Sequence, residues 1–248
     1  MSSDSSSYIC PTWPAPTSVR AYVSTRIGGV SNAPFDGLNL GDHVQDDPAA
    51  VRQNRQLFSS YIDMPNSVTW LNQVHETDVV TLPCDVLPNS ADAAFSSSVK
   101  QVCAVLTADC LPVFFCNQLG TQVAVAHAGW RGLCAGVLES TLNQFDDVSQ
   151  VMVWLGPAIG PTAFEVGGEV REAFMSVRQE ARLAFTPSVE LEKWLGNLYL
   201  LAEQRLVAAG VTQVYGGDCC TFTEKERFYS YRRDGKTGRM ASVIWLDG

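Results

Sequence analysis

Two short apolar runs in the middle of the chain constrain its fold more than any other feature. Residues 102–106 (VCAVL) and 122–126 (QVAVA) have the length and the apolar, β-branched content of buried strands. Each run is followed by a polar group, 107–110 (TADC) after the first and 127–132 (HAGWRG) after the second. We interpret the runs as adjacent strands of an α/β scaffold, with a thiol and an imidazole at their exits. Strand ends are rigid and open onto a crevice, so we expect chemistry there.

The flanking sequence predicts helices and further strands within one domain. Asp47 and Pro48 are typical of the N-cap and first turn of a helix that continues to about Tyr61. Apolar spacing predicts two more helices, over 169–185 and 191–209, and a final β-rich unit of strands at 228–231 and 240–246 around a basic turn. Residues 1–18 are rich in Ser and Pro, so we predict a flexible N-terminal segment there. Because no repeat or linker interrupts the remaining elements, we predict one domain at 19–248.

The composition argues against two classes of function. The chain has 26 acidic and 17 basic residues in 248, a net charge of −9, and a surface that acidic repels nucleic-acid backbones. No apolar run reaches the length of a membrane span, and the first residues lack the pattern of a signal peptide. We therefore expect a cytoplasmic protein. Its eight cysteines are then not expected to form a disulfide framework. Cys103, Cys116 and Cys134 lie within apolar patterns typical of small buried residues, whereas Cys110 stands out because it lies beside Asp109 at a strand exit.

His75, Cys110 and His127 form the strongest candidate site. His75 also falls at a predicted strand end, and two imidazoles with one thiolate suit a zinc ion that keeps a fourth position open. The intervals of 35 and 17 residues do not form a compact zinc motif. Two other interpretations therefore stay open: two structural histidines with a buried thiol, or Cys110 as a nucleophile with His127 as its base.

Several loop residues are candidates for holding an anion. Arg26 lies in a Gly-rich loop, Asn39 in a loop rich in turn-forming residues, and Arg131 directly after the HAGW segment. Arg232 and Arg233 open the basic turn. An arginine close to the candidate metal could bind phosphate with two hydrogen bonds, whereas a solvated turn is the alternative explanation for the basic segment and for Arg26.

Seven sequence blocks, in a fixed order, resemble one family. They run from about Arg20 to Leu246: STRIGGVS, LNLGDHV, WLNQVH, LTADCLPVFF, AVAHAGWRGL, LGPAIGP and FYSYRRDGKTGRMA. They are similar to blocks of the laccase-domain family, whose members are also called polyphenol oxidases, purine nucleoside phosphorylases or peptidoglycan editing factors. The resemblance implies an α/β (α+β) fold, a single-domain four-layer α/β/β/α sandwich similar to toxin deamidases with a Cys–His site.

The resemblance also implies that His75, Cys110 and His127 bind a metal ion. Members of the family are described as cleaving purine nucleosides with phosphate and as deaminating adenosine, whereas the laccase name supposes copper and phenols. The chain has only three histidines, too few for a multicopper cluster with a blue-copper site, so we expect zinc, with copper able to bind in vitro. One departure is Glu76, where the family commonly has glycine; we expect its side chain to face solvent.

These observations predict a zinc-dependent purine nucleoside phosphorylase that also deaminates adenosine. In this hypothesis zinc activates water for attack on the purine, and Asp109 moves the proton. Arg26 and Arg131, then Arg232 and Arg233, would bind phosphate in a crevice bounded by the loops around residues 28, 39 and 156.

Other functions remain open at this point. The alternatives are a Cys–His amidohydrolase that edits cytosolic peptidoglycan precursors, a copper-dependent polyphenol oxidase, and a binding protein that keeps only the metal site. The expected partners are purine nucleosides, phosphate and wall precursors. We expect the protein to bind neither nucleic acid nor a membrane. We expect a monomer or a weak homo-oligomer.

Overall fold

The computed structural model describes residues 6–66, 68–86, 88 and 90–248, and within them three β-sheets and six α-helices. The strands are β1 (Tyr8–Ile9), β2 (Val19–Ser24), β3 (Val68–Trp70), β4 (Val79–Leu82), β5 (Ala93–Ser96), β6 (Val102–Thr107), β7 (Leu111–Asn117), β8 (Val123–Ala128), β9 (Val151–Leu155), β10 (Glu165–Gly167), β11 (Phe185–Pro187), β12 (Lys193–Gly196), β13 (Gln213–Gly216) and β14 (Met240–Leu246). The helices are α1 (Pro48–Tyr61), α2 (Trp130–Ala135), α3 (Val137–Leu142), α4 (Gly168–Val177), α5 (Leu198–Ala208) and α6 (Tyr231–Asp234).

Two large sheets form the centre of the molecule. The first has five strands in the order β1-β2-β14-β6-β3, and β14 pairs antiparallel with both β2 and β6. The second has six strands in the order β13-β9-β7-β8-β5-β4, antiparallel at its centre and parallel at both edges. The strands β10, β12 and β11 form a separate, small antiparallel sheet in that order.

The side chains of β6 show how the sheets are layered. Cys103 and Val105 belong to the apolar layer between the two large sheets, together with Phe114 of β7. Ala104, between them in sequence, points to the opposite face and packs in the layer that contains Phe58 of α1. A strand buried on both faces reads as an uninterrupted apolar run, because successive side chains alternate between faces.

Helices cover the outer face of the six-stranded sheet. Val113 and Phe115 of β7 pack in one cluster with Leu138 of α3, Phe174 of α4 and Leu201 of α5. Three apolar layers thus separate α1, the two sheets and helices α2 to α5. The predicted α/β/β/α sandwich is confirmed.

The two apolar runs that first suggested the fold are not neighbours in one sheet. β6 lies in the five-stranded sheet and β8 in the six-stranded sheet, and they face each other across the layer that contains Val105 and Val125. The chain crosses between the sheets after Thr107 and enters β7 at Leu111. The prediction of adjacent strands is therefore wrong: β7, not β6, is the hydrogen-bonded neighbour of β8.

The two predicted long helices are also shorter than expected. The helix predicted over 169–185 ends at Val177, because Arg178 has extended backbone angles, and a 3-10 turn (Gln179–Ala184) then leads into β11. The helix predicted over 191–209 begins at Leu198, where Asn197 caps it through a side-chain bond from the Leu200 N–H. The preceding residues instead form β12, since both of its edges pair with neighbouring strands.

Both ends of the described chain differ from the predicted pattern. Within the segment predicted to be flexible, Tyr8–Ile9 pairs with β2, so strand hydrogen bonds hold this part against the first sheet. The predicted strand at 228–231 is wrong: Ser230 accepts a hydrogen bond from the Arg233 N–H and caps α6, which occupies the start of the basic turn. None of the helices in the described ranges has both the length and the apolar character to span a bilayer.

Candidate metal centre and active site

The turn between the two large sheets presents Cys110. Asp109, directly before it, has a φ of 87°, in the left-handed region. The Asp109 carboxylate accepts hydrogen bonds from the Thr221 hydroxyl and from the Arg232 backbone N–H, both at 2.6 Å. Both carboxylate oxygens are thus engaged, and they tie the turn to two later segments of the chain.

His127 is held by the second sheet. It is buried near the end of β8, and its register partner across the sheet is Pro112 of β7, two residues after Cys110. Its Nδ1 lies 2.7 Å from Oδ1 of Asp92, a fully buried carboxylate just before β5. Because Nδ1 is engaged in this hydrogen bond, Nε2 is the nitrogen left free to bind a metal.

His75 lies on an exposed loop between β3 and β4, and the same Asp92 holds that loop. The backbone N–H of His75 donates to Oδ1 of Asp92 at 2.9 Å, and those of Val74 and Glu76 donate to Oδ2 at 3.1 and 2.9 Å. His75 has a φ of 66°. Burial raises the pKa of the Asp92 carboxyl, but the hydrogen bonds from His127 and the loop outweigh it, so the net pKa is lowered.

The three donor atoms converge at one point. They lie within 4.8 Å of one another, and Cys110 Sγ is 3.9 Å from Nε2 of His75. Ligand atoms of a tetrahedral zinc site lie about 3.3–3.8 Å apart, given bonds of about 2.0–2.3 Å. A Cβ atom on Gly129 would come within 2.7 Å of the His75 ring and 3.1 Å of the sulfur, so only glycine leaves this space open. The donor set therefore fits a metal ion with three protein ligands.

The charges at this point favour a thiolate. Burial raises the pKa of the Cys110 thiol, but the His127 and His75 imidazoles outweigh it and lower the pKa to about 6. For His127, burial lowers the pKa, while Cys110 and Asp92 outweigh it and raise the pKa to about 9. Burial without such partners raises the pKa of Cys116 to about 12. Cys110 is thus distinguished as a ligand or a nucleophile, since the thiolate is the reactive form.

The three donors open onto a crevice of about 670 Å³. Its other walls are formed by apolar side chains and by a polar rim, which include Trp70, Leu71, Leu106, Tyr231, His43 and Arg239. Small-molecule sites are typically about 300–1,000 Å³ and mainly apolar with a few polar groups. The volume and the mixed lining of this crevice are those of a small-molecule site.

A smaller cavity of about 260 Å³ adjoins the crevice. Ala108, Cys110 and Tyr231 line both, so these three residues form the boundary between them. Trp130 and Phe164 give the smaller cavity aromatic walls, and Arg131 and Arg232 also line it.

The structure places the predicted anion-binding arginines outside the crevice. Arg26 forms an ion pair with Asp36 at 2.8 Å, and lines a separate surface hollow with Arg233. Arg131 and Arg232 line the smaller cavity. Of the loops predicted to bound the crevice, the one beginning at residue 39 does so through Asp42 and His43, whereas those around residues 28 and 156 do not line it.

Two residues of the site were not among the predicted ones. Asp92 holds both histidines, and its sequence signal is a lone carboxylate at the entry to a run of small apolar residues, ADAAF. Arg239 is the arginine that lines the crevice in the described part of the chain. Asn39, predicted as a ligand-binding residue, is buried and accepts a hydrogen bond from the Arg239 backbone N–H at 2.9 Å.

Known proteins resemble the chain along almost its whole length. A family model described as multi-copper polyphenol oxidoreductase laccase matches residues 20–247. The chain is 56% identical to the Escherichia coli protein named purine nucleoside phosphorylase YfiH, over 97% of this chain and 99% of that one. A purine nucleoside phosphorylase of Pseudomonas aeruginosa is 54% identical over 96% and 98% of the two chains. The crystal structure of Neisseria meningitidis protein NMB0706 superposes with a TM-score of 0.92 at 48% identity, covering 98% of this chain and 100% of that one.

Proposed function

We propose that this chain, which belongs to the multi-copper polyphenol oxidoreductase laccase family, is a metal-dependent purine nucleoside phosphorylase. Similar bacterial proteins carry that name. The observation that carries the proposal is the convergence of His75, Cys110 and His127 on the wall of a crevice large enough for a nucleoside. Two imidazoles and one thiolate leave a fourth position open to a substrate, as catalytic rather than structural metal sites do.

Zinc is the metal that we propose for this site. The chain has three histidines, and His43 lies outside the group of donors that converge in the described residues. Two histidines and one cysteine hold one ion, whereas a multicopper oxidase needs several. Copper binds tightly to the same donors, so oxidation of phenols in the presence of added copper is compatible with zinc as the native metal. When bound, the metal supplies a Lewis acid that activates an oxygen nucleophile.

In phosphorolysis a phosphate oxygen forms a bond to C1′ of the ribose while the bond from C1′ to the purine nitrogen breaks. The electron pair of the broken bond goes to the purine, which takes up the proton given up by the phosphate. In this proposal the nucleoside packs against the apolar residues of the crevice, Trp70, Leu71 and Leu106. Asp92 fixes both histidines, and Asp109 holds the turn that presents Cys110.

We extend the proposal to adenosine deamination at the same site. Here water replaces phosphate: its oxygen bonds to the purine carbon that carries the amino group, the bond from that carbon to the amino nitrogen breaks, and ammonia leaves with a proton that the water gives up. Asp109 was the residue predicted to move the proton. Since both of its oxygens accept hydrogen bonds from Thr221 and Arg232, we assign it to positioning Cys110 instead.

The test of this function compares the wild-type protein with Cys110→Ala and, as a matched control, with Cys10→Ala, since Cys10 is exposed and lies outside the site. Metal content is measured by mass spectrometry, and turnover of inosine and adenosine with and without phosphate. We expect about one zinc ion per chain in the wild type and in the control, and loss of both metal and turnover in Cys110→Ala. A zinc-loaded wild type that cleaves neither nucleoside would overturn the proposal.

One observation favours a second candidate, a Cys–His amidohydrolase. Cys110, His127 and Asp92 have the order of a nucleophile, its base and an orienting carboxylate, and the pKa of the thiol is lowered to about 6. The substrate class would be amides of peptidoglycan precursors. This candidate predicts turnover that survives a chelator and a covalent intermediate on Cys110 that intact-mass spectrometry detects, whereas the phosphorylase loses activity with its metal.

A further inference from the structure

Arg239 lies half-buried on the wall of the crevice that contains the three donors. Other partly buried arginines, such as Arg205 and Arg227, pair with a carboxylate at 2.8 and 2.6 Å. In the described ranges no carboxylate lies within 4 Å of the Arg239 guanidinium. Removing a charge from water is unfavourable unless a partner pairs with it. Cys110 and Asp109 stabilise the charge from a distance, and the Tyr231 ring centroid lies 5.8 Å from the guanidinium carbon, but none of these three groups accepts a hydrogen bond from Arg239. The direct partner of Arg239 is therefore to be sought in a ligand.

Within the described ranges, the protein uses only part of the hydrogen-bond donors of the Arg239 guanidinium. Its Nη1 donates to the backbone carbonyls of Thr237 and Gly238, at 2.9 and 3.1 Å. In the described part of the chain, Nε and Nη2 have no protein acceptor. The nearby Asp42 already pairs with Arg55 at 3.2 Å. Two neighbouring N–H groups on one planar guanidinium match two oxygens of a phosphate.

The loop of residues 39–41 fixes the position of Arg239. Asn39 Oδ1 accepts the Arg239 backbone N–H, and the Leu40 N–H donates to the Arg239 carbonyl at 3.1 Å. Asn39 is itself fixed by donating to Asp46 at 2.8 Å. A Cβ atom on Gly41 would lie 2.7 Å from Cγ of Arg239, so a glycine is needed for the side chain to cross this loop.

We propose that Arg239 forms the phosphate subsite of the crevice, positioned by Asn39 and Gly41. This inference rests on the proposed phosphorolysis and names the cation that binds its second substrate. The fork of Nε and Nη2 binds two phosphate oxygens, and a third oxygen attacks C1′ of the ribose as the bond from C1′ to the purine breaks. His43, on the same loop and lining the same crevice, offers a further polar contact.

The experiment measures phosphate binding in two independent ways, on zinc-loaded protein. The KM for inorganic phosphate is determined in inosine cleavage, and binding of inorganic phosphate alone is followed by titration calorimetry. Arg239→Met and Arg239→Lys are compared with Arg52→Met, a control on an exposed position of α1. Arg131→Met and Arg232→Met report on the smaller cavity, and metal content is measured for every variant.

We expect Arg239→Met to raise the KM for phosphate by roughly 10–100-fold and to abolish the calorimetric signal, with zinc content unchanged. Arg239→Lys should recover part of the loss, since it keeps the charge but not the fork. Unchanged phosphate binding in Arg239→Met, or a loss found only in Arg131→Met or Arg232→Met, would overturn the inference. If the wild type binds phosphate through Arg239 but cleaves no nucleoside, the phosphorylase function fails while the anion site stands.

Discussion

The two histidines of the donor set are held in opposite ways. His127 is buried in the regular hydrogen-bonding pattern of β8, whereas His75 lies on an exposed loop with a left-handed backbone conformation. What they share is Asp92, which accepts a bond from the ring of one and from the backbone of the other. His127 is thus positioned by the sheet and by Asp92, whereas the loop that carries His75 is held by Asp92 without strand pairing. Asp92 is therefore the residue on which the geometry of both ligands depends.

Replacing Asp92 should have the largest effect, because it removes a support that both histidines share. In Asp92→Asn the side chain can no longer accept at both oxygens, so part of the loop N–H groups or the His127 ring loses its partner. We expect the free energy of unfolding to fall by about 1–3 kcal/mol and metal affinity to fall by roughly 10–100-fold. Denaturant unfolding and competition with a chelator measure the two effects.

The matched control is Asp85→Asn, which changes an exposed carboxylate before β5. It should leave both quantities unchanged. If Asp92→Asn binds zinc as tightly as the wild type, the sheet and the turn alone position the ligands, and the role given to Asp92 is incorrect.

A change at Gly132 should disturb the loop histidine and spare the one on the strand. A Cβ atom there would lie 2.8 Å from the carbonyl oxygen of Glu76 and 3.5 Å from that of His75. In Gly132→Ala the loop must move, at a cost of about 1–3 kcal/mol in stability, and metal affinity should fall by less than in Asp92→Asn. Chelator competition and thermal unfolding provide the measurements.

Gly168→Ala serves as the control for this change, because its added Cβ would meet only the Trp194 ring nitrogen, at 4.0 Å. Equal metal affinity in Gly132→Ala and the wild type would show that the loop adapts without moving its ligand.

The smallest effect is expected at Glu76, the position where the family commonly has glycine. Its side chain is exposed, and its contribution to the loop is the backbone N–H that donates to Asp92. Glu76→Ala keeps that N–H, so stability should change by less than about 0.5 kcal/mol and metal affinity should stay the same. A severalfold change in chelator competition would instead place the carboxylate at the metal.

The sequence predicted the layers of this fold correctly, but it did not predict correctly which strands pair with each other. The alternation within β6 indicates burial on both faces, but an apolar run does not identify the sheet to which its strand belongs. For that reason the sequence pattern places Cys110 at the end of β6, although β7 sets its position next to His127. The small strand β12 was missed because pairing with distant strands, and not local propensity, decides its conformation.

The donor residues could be named from their chemistry and from family blocks, whereas their supports could not. Asp92 acts on the loop through backbone N–H groups 16 to 18 residues earlier, and backbone donors leave no trace in the identity of the residues that carry them. Arg239 is one of several cations in a basic segment, and only its burial without a carboxylate partner separates it from Arg233, which pairs with Asp234.

The central place of β14 in the five-stranded sheet has a consequence for biosynthesis. Both β2 and β6 pair with β14, a strand that comes more than a hundred residues after β6. Until the ribosome has translated residues 240–246, these two strands have no shared neighbour, and Arg239 is not yet in place beside Asn39. The first sheet is therefore completed late, and contacts this distant along the chain slow folding. The nascent chain must keep two exposed strand edges from aggregating during that interval.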